Sequence, residues 1–375
     1  MRIGIILSSL GLMPGGLETI AAHLARGLAD RNHDVLLVRG NWPGRRSSYA
    51  SLIDSLPSVK ISCVPADTAF SRATARMRDG WPLKLQSLSF AYACRLQPAA
   101  WARIMGCEVT VTFLEVETVK FSRWRARHGK PNLSYFPGCI DWGCLRRDRS
   151  VLRVAGSNMI AERHERLIEC PIHGVVVPGV GESWLDGAYD VRPVAFRLVF
   201  VGRFEPNKGI AELLDIVEHL NPEVPNLELR LVGDGPLRRW VEAESVARGL
   251  SGRVLCVGPV SPDRVRQELR RADLFVFPSH YESFGIAVLE ALAVGVPVVS
   301  SDLPALREVA ADAAVMLPVG DIPRWVAAVQ ALLQSQEKRR RLSAAGRAQA
   351  RGFPWARSVY DMEEYLNQAV TKRPV

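Results

Sequence analysis

Apolar residues fall along this chain in two alternating patterns. Short, nearly unbroken runs at 2–7, 35–38, 59–64, 109–113, 151–155, 196–201, 227–232, 254–257, 274–277, 296–300 and around Val315 have the length and content of buried strands. Between them, apolar positions recur every three or four residues. Over 17–29, Leu17, Ile20, Ala21, Leu24 and Leu28 share one helical face, and after Gly285 so do Ile286, Leu289, Ala293 and Val294. Further helices are expected at 157–168, from Gly209, over 303–310, from Ile322 and in the terminal stretch FPWARSVYDMEEYLNQ. The tract EKRRRLSAAGRAQAR reads as a solvated helix face. Strands alternating with helices of about 10–15 residues predict parallel, doubly wound sheets, whose ligands sit at the carboxyl ends of the strands. A chain of 375 residues suffices for two domains, each with its own core.

Two loops at such strand ends carry candidate chemistry. After 196–201 comes GRFEPNKG, in which Arg203 and Lys208 flank a turn running into a helix. A guanidinium fork and a point-charge ammonium beside a helix start make a cradle for a diphosphate. After 274–277 comes PSHYESFGIAVLE. A helix beginning at Phe284 or Gly285 turns the amides of Ser283, Phe284, Gly285 and Ile286 toward an anion in the loop. Glu282 stands at that anion's edge and Glu290 is set back by about the span of a diphosphate linking two sugars. The spacing suits a nucleotide sugar, with phosphates on the helix start and one carboxylate for each sugar ring.

A bare pair of glutamates eight apart says little, but the surroundings are specific. Glu282-x7-Glu290 within PSHYESFGIAVLEALAVGVPVVSSD, together with GRFEPNKG, resembles the signature of the retaining glycosyltransferases of family 4, among the glycosyl transferases group 1. The resemblance implies the α/β GT-B architecture: two Rossmann-like, doubly wound parallel-sheet domains facing a cleft. An acceptor-binding domain is expected at 1–188 and a nucleotide-sugar domain at 189–354, with 355–375 a helix crossing back to the first. The implied reaction moves a sugar, with retention at the anomeric carbon, from a nucleoside diphosphate sugar to a lipid-linked or polysaccharide precursor of a bacterial surface glycan. UDP is the expected nucleotide. Carried onto this chain, Arg203 and Lys208 hold the pyrophosphate, Glu282 bonds the transferred sugar and Glu290 the ribose. The nucleobase packs near Val260. Gly15 and Gly16, in SSLGLMPGG, reach the donor phosphates, a ligand-free tight turn being the alternative. No DxD-type metal motif stands out, so no metal and no cofactor are expected; Arg203, Lys208 and the loop amides then stabilise the leaving diphosphate.

The first domain departs from the family pattern. Many members have a histidine after the strand corresponding to 109–113, and none occupies 113–117 here. Glu115 and Glu117 are the substitutes, with helix-cap or surface roles as their alternative, and Asp141 in PGCIDWG is a further acceptor-side candidate. His128 is a poorer one. His280 beside Glu282 is expected to be structural.

Charge adds a partner. Of the net +9, residues 1–190 contribute 24 Lys+Arg against 17 Asp+Glu, and the whole excess lies in 68–130, with 11 against 4. There arginines and lysines interleave with Phe70, Trp81, Phe90, Tyr92, Trp101, Phe121 and Trp124. An anionic membrane surface, a phosphate-bearing acceptor, or helices packed on their own domain with solvated cations all fit that pattern. No nucleic-acid module accompanies the charge. The seven cysteines lack framework or zinc spacing, Cys139, Cys144, Cys170 and His173 included, so reduced thiols are expected. Ser8 and Ser9 interrupt the N-terminal apolar run and an amphipathic helix follows, which reads as a first strand rather than an export signal. The expected place is the cytoplasm, with peripheral attachment to the inner membrane face left open. Two rival activities stay open: a nucleotide-sugar epimerase of the same architecture, and a silent nucleotide-sugar-binding scaffold.

Overall fold

A computed structural model of the chain describes residues 1–8, 15–41, 59–65, 83–113, 115–138, 148–169, 171–187, 196–224 and 226–372. The chain divides into two compact units, Met1–Pro178 with Trp355–Val375, and Gly179–Pro354.

The first unit runs β1 (Arg2–Leu7), α1 (Gly16–Asp30), β2 (Asp34–Asn41), β3 (Lys60–Pro65), α2 (Leu83–Leu96), α3 (Pro98–Met105), β4 (Val109–Thr112), α4 (Glu115–Ala126), β5 (Asn132–Phe136), β6 (Leu152–Ala155), α5 (Asn158–Ile168) and β7 (Gly174–Val175). Its strands are all parallel, in the order β3-β2-β1-β4-β5-β6-β7. The order reverses between β1 and β4, which makes their carboxyl ends the crevice of this sheet. On one face Ile6, Leu36, Val38, Phe90, Cys94, Ile104, Phe121 and Trp124 form a continuous core. Phe90, Phe121 and Trp124 therefore serve packing, and of the three readings of the basic aromatic stretch the internal one holds for them. Tyr92 and Leu96 of α2 stay exposed, at 43% and 75%. Arg95 lies over the rings of Trp101 and Trp124, and Lys120 over Tyr92.

β5 has no counterpart among the expected strands: Leu133, Tyr135 and Phe136 are buried, but so are the polar Asn132 and Ser134, which break the apolar run. The Thr110 hydroxyl donates to Asn132 Oδ1 (2.6 Å), and Asn132 Nδ2 donates to Thr112 (3.0 Å) and Ser150 (2.7 Å). Ser134 donates to Ser150 and Asp148, and Arg153 pairs with the Asp148 carboxylate at 3.2 Å. A hydrogen-bonded polar ladder thus occupies a place where apolar alternation was the signal sought.

The second unit runs α6 (Glu182–Leu185), β8 (Arg197–Val201), α7 (Ile210–Leu220), β9 (Glu228–Val232), α8 (Arg238–Ala247), β10 (Val254–Gly258), α9 (Pro262–Arg270), β11 (Leu274–Phe277), α10 (Ile286–Val294), β12 (Val298–Ser301), α11 (Pro304–Ala310), β13 (Val315–Leu317), α12 (Ile322–Leu333) and α13 (Gln336–Ala350). Its parallel sheet has the order β10-β9-β8-β11-β12-β13, reversing between β8 and β11. The tract expected as a solvated face is helix α13: Glu337, Lys338, Arg340 and Arg341 are exposed, and its other face packs. Ser343, Gly346 and Ala350 are buried, and a Cβ on Gly346 would lie 3.0 Å from Leu292 of α10. Arg339, also buried, donates to the carbonyls of Leu332 and Leu333 at 2.6 Å each, capping α12.

The units divide at Pro178 rather than at 188. The stretch after Pro178 is tied to the second unit through its carbonyls. Arg266 donates to that of Ser183 (2.9 Å), Arg270 to that of Asp186, and Arg347 to those of Leu185 and Gly187. The last helix, α14 (Trp355–Thr371), belongs to the first unit and lies on α1. Gly27 admits it there, since a Cβ would stand 2.3 Å from Val359. His23 stacks on Trp355 with centroids 4.4 Å apart, and Glu363 pairs with Arg31 and His33.

Candidate functional site

In the second unit the two candidate loops leave the carboxyl ends of β8 and β11, the neighbouring strands at which the order reverses. The sheet itself therefore brings GRFEPNKG and PSHYESFG together. After β8, Phe204 is fully buried and Pro206–Lys208 forms a short 3-10 turn. Gly209 then takes φ +68° as it leads into α7, and a Cβ there would stand 2.0 Å from the Pro278 carbonyl oxygen. Only glycine satisfies both the left-handed backbone and this close approach of the loops.

Three further contacts strap the loops together. The Asn207 carbonyl accepts from the His280 amide (2.9 Å) and from the Ser279 hydroxyl (3.1 Å). The His280 imidazole pairs with Glu212, in the first turn of α7. Asn207, Ser279 and Glu212 were not among the residues singled out from sequence, because a contact across some 70 positions leaves no local trace. His280 takes the structural part expected of it.

Within this frame Lys208 Nζ donates to Glu282 Oε1 at 2.6 Å, with side chains 19% and 10% exposed. Arg203 pairs with Glu205 of its own loop. Both cations of the cradle thus hold carboxylates. α10 starts at Ile286, with Gly285 as its N-cap at φ +96°, and its first amides have no acceptor within the helix. A Cβ on Gly285 would meet Leu306 at 2.3 Å, so the turn aiming these amides requires glycine. The Phe284 ring is buried against Phe353. Ser283 and Ile286 are half-buried beside it, as is Val260, just past the carboxyl end of β10. One turn and more into α10, burial raises the Glu290 carboxyl to about 8. Among the described residues no hydrogen bond or ion pair reaches it.

In the first unit Gly15 caps α1 with an extended backbone, φ −174°, its carbonyl accepting from the Thr19 amide and hydroxyl, and Gly16 opens the helix. Residues 9–14 of that turn lie outside the described residues. Glu117, in the first turn of α4, is fully buried and accepts the Ser8 amide at 3.0 Å, at the carboxyl end of β1. Its carboxylate faces into the fold. Glu115 begins α4, its side chain outside the described residues, as are Asp141, Cys139, Cys144 and Cys170. His128 Nδ1 lies 2.8 Å from the Trp124 carbonyl, a local helix contact away from the crevice. Among the described residues no group of three or more His, Cys, Asp or Glu side chains could hold a metal ion, and no helix is long and apolar enough to cross a membrane.

Residues 193–349 match the family model described as glycosyl transferases group 1. The phosphatidyl-myo-inositol mannosyltransferase of Mycobacterium leprae is 36% identical over 380 residues, covering 95% of this chain and 94% of that protein. The D-inositol 3-phosphate glycosyltransferase of Xylanimonas cellulosilytica is 36% identical over 180 residues, covering 47% of this chain and 43% of its own length. Among solved structures, sucrose-phosphate synthase from Thermosynechococcus elongatus matches with a TM-score of 0.80 at 19% identity over 98% of both chains. Anabaena HepE in complex with UDP and glucose matches at 0.76 and 15% identity, over 98% of this chain and 100% of that one. At these identities the structural likeness is one of fold.

Proposed function

The chain belongs to the glycosyl transferases group 1, with their GT-B fold of two Rossmann-like domains, and we propose that within that family it is a retaining, family 4 enzyme that transfers a sugar from a UDP-sugar to a lipid-linked or polysaccharide precursor. The observation that carries this reading is the meeting of Lys208 and Glu282 at the order reversal of the second sheet, in the loops that lead into α7 and α10. A diphosphate there has two cations and a helix start to receive it, with a carboxylate at either end for the hydroxyls of two sugars.

In the proposed reaction Arg203, Lys208 and the amides of Ser283 to Ile286 take up the charge that grows on the leaving diphosphate. Glu282 accepts from hydroxyls of the transferred sugar and holds the ring, while Glu290 bonds the ribose. The acceptor oxygen attacks the anomeric carbon from the face the diphosphate leaves. The new C–O bond forms as the bond to phosphate breaks, and the acceptor's proton passes to a phosphate oxygen. That route needs no first-domain base, in keeping with the absence of a histidine at 113–117. The two relatives are named for inositol phosphates, one of them lipid-bound. Together with the basic excess over 68–130, this supports a phosphate-bearing acceptor, and the exposed Tyr92, Arg95 and Leu96 support an anionic membrane surface as the place where it is met.

Thermal unfolding in the presence of UDP, GDP and ADP and their sugars, with EDTA present, tests the donor site. A ligand at 100 times its Kd should add about 2.7 kcal/mol and raise the midpoint for one base only. Product analysis then separates transfer from epimerisation. If none of these nucleotides shifts the midpoint, the donor assignment is wrong.

A further inference from the structure

The Lys208 ammonium is committed to Glu282 at 2.6 Å, in a position where both side chains are largely covered. A phosphate that takes this ammonium meets a carboxylate already bound to it. An ammonium has three donors and could touch both anions at once. Two anions crowded around one cation at a partly buried site nevertheless repel each other strongly. The backbone cannot relieve the conflict. Asn207 is bonded to Ser279 and His280, His280 to Glu212, and Gly209 is pressed beneath Pro278, so the loops carrying the pair are fastened on both sides of it. What remains free to move is the Glu282 side chain. Arg203 and Glu205 repeat the arrangement on the more exposed side of the cradle.

We propose that the Lys208–Glu282 ion pair is an exchange lock that makes recognition of the sugar conditional on the diphosphate. The donor's phosphate displaces Glu282 from Lys208, and the displaced carboxylate becomes the acceptor for the sugar's hydroxyls. Glu282 is thereby a selectivity element as well as a sugar ligand: it competes with every anion that enters, and only a ligand carrying both phosphate and sugar uses both halves of the opened pair. This rests on the nucleotide-sugar assignment made above.

The lock makes an inverted prediction for a residue that binds substrate. In calorimetric titrations of the full chain with UDP, GDP and inorganic pyrophosphate, Glu282→Gln should lower Kd about tenfold relative to wild type for whichever of them wild type binds, while abolishing transfer. In a Lys208→Met background the same change should alter Kd by less than about twofold, because no ammonium remains to be released. Glu282→Asp, too short by one methylene to keep the 2.6 Å contact, should tighten binding in the same direction and guards against a folding defect in the glutamine variant. Unchanged or weaker binding in both Glu282 variants overturns the lock. So does an equal gain without Lys208, which would make Glu282 a simple repeller of phosphate. Failure of the underlying assignment looks different: wild type then binds neither the nucleoside diphosphates nor pyrophosphate, and the lock falls with it.

Discussion

Glu290 and His23 sit in different units, and burial pushes their titrations in opposite directions. The Glu290 carboxyl is raised to about 8, so above pH 4.5 the unfolded chain releases a proton that the folded chain keeps. Stability from this group is full below pH 4.5 and is lost as pH rises toward 8. His23 is lowered to about 4 by burial against Trp355, with Arg26 adding to the effect, so it stays neutral in the fold while the unfolded imidazole takes up a proton. Its contribution is full above pH 6.5 and is lost as pH falls toward 4. At about 1.4 kcal/mol per pH unit, the Glu290 span is worth about 5 kcal/mol and the His23 span about 3 kcal/mol. Thermal midpoints measured from pH 4 to 9 should therefore show Glu290→Gln flattening the alkaline decline and His23→Phe, which keeps a ring on Trp355, flattening the acid one. A glutamine variant whose alkaline decline matches wild type would show that Glu290 ionises normally in the fold.

At the scale of elements, the apolar runs announced most strands, β11 at Leu274–Phe277 most directly, because four buried apolar residues in succession have few other uses. β5 escaped because Asn132 and Ser134 are satisfied by other side chains rather than by an apolar neighbour. The packing of α13 escaped because its contact face is made of the small residues Ser343, Gly346 and Ala350, of which only the alanine is apolar. The two candidate loops stood out in the sequence as short contiguous motifs; the strap between them did not, since it joins positions far apart in the chain. Arg125 is another element-scale device that reads as surface charge in the sequence. Its guanidinium is buried and donates to the carbonyls of Ile104, Cys107, Glu108 and Pro131, fastening α3, β4, α4 and β5 at one point. Burial lowers it to about 10, which leaves it charged at neutral pH. Arg125→Met keeps the bulk and strands four carbonyls, so denaturant unfolding should report a loss of about 3–5 kcal/mol, with Arg125→Lys recovering only part. A loss below 1 kcal/mol would mean that solvent reaches those carbonyls.

For the whole molecule, charge and apolar exposure coincide in the first unit. Leu96 stands out at 75% exposure on a helix that also carries Arg95 and Tyr92. If that face meets an anionic bilayer, the chain should co-sediment with vesicles containing about 30% phosphatidylglycerol and be released by salt. Leu96→Glu should reduce the bound fraction several-fold while leaving nucleotide binding unchanged. Equal sedimentation with neutral and anionic vesicles, or no effect of Leu96→Glu, would remove this face from membrane contact.

The two ends of the second unit also meet. The Val180 amide donates to the Phe353 carbonyl at 2.8 Å, and Val180 bridges to Pro354. A cassette excised at Pro178 and Pro354 therefore brings its own closing clasp, with the carbonyls of 183–187 still seated on Arg266, Arg270 and Arg347. One cut at 188 would leave those arginines facing a foreign chain. Chimaeras that exchange the second unit between two members of the family should be joined at the two prolines.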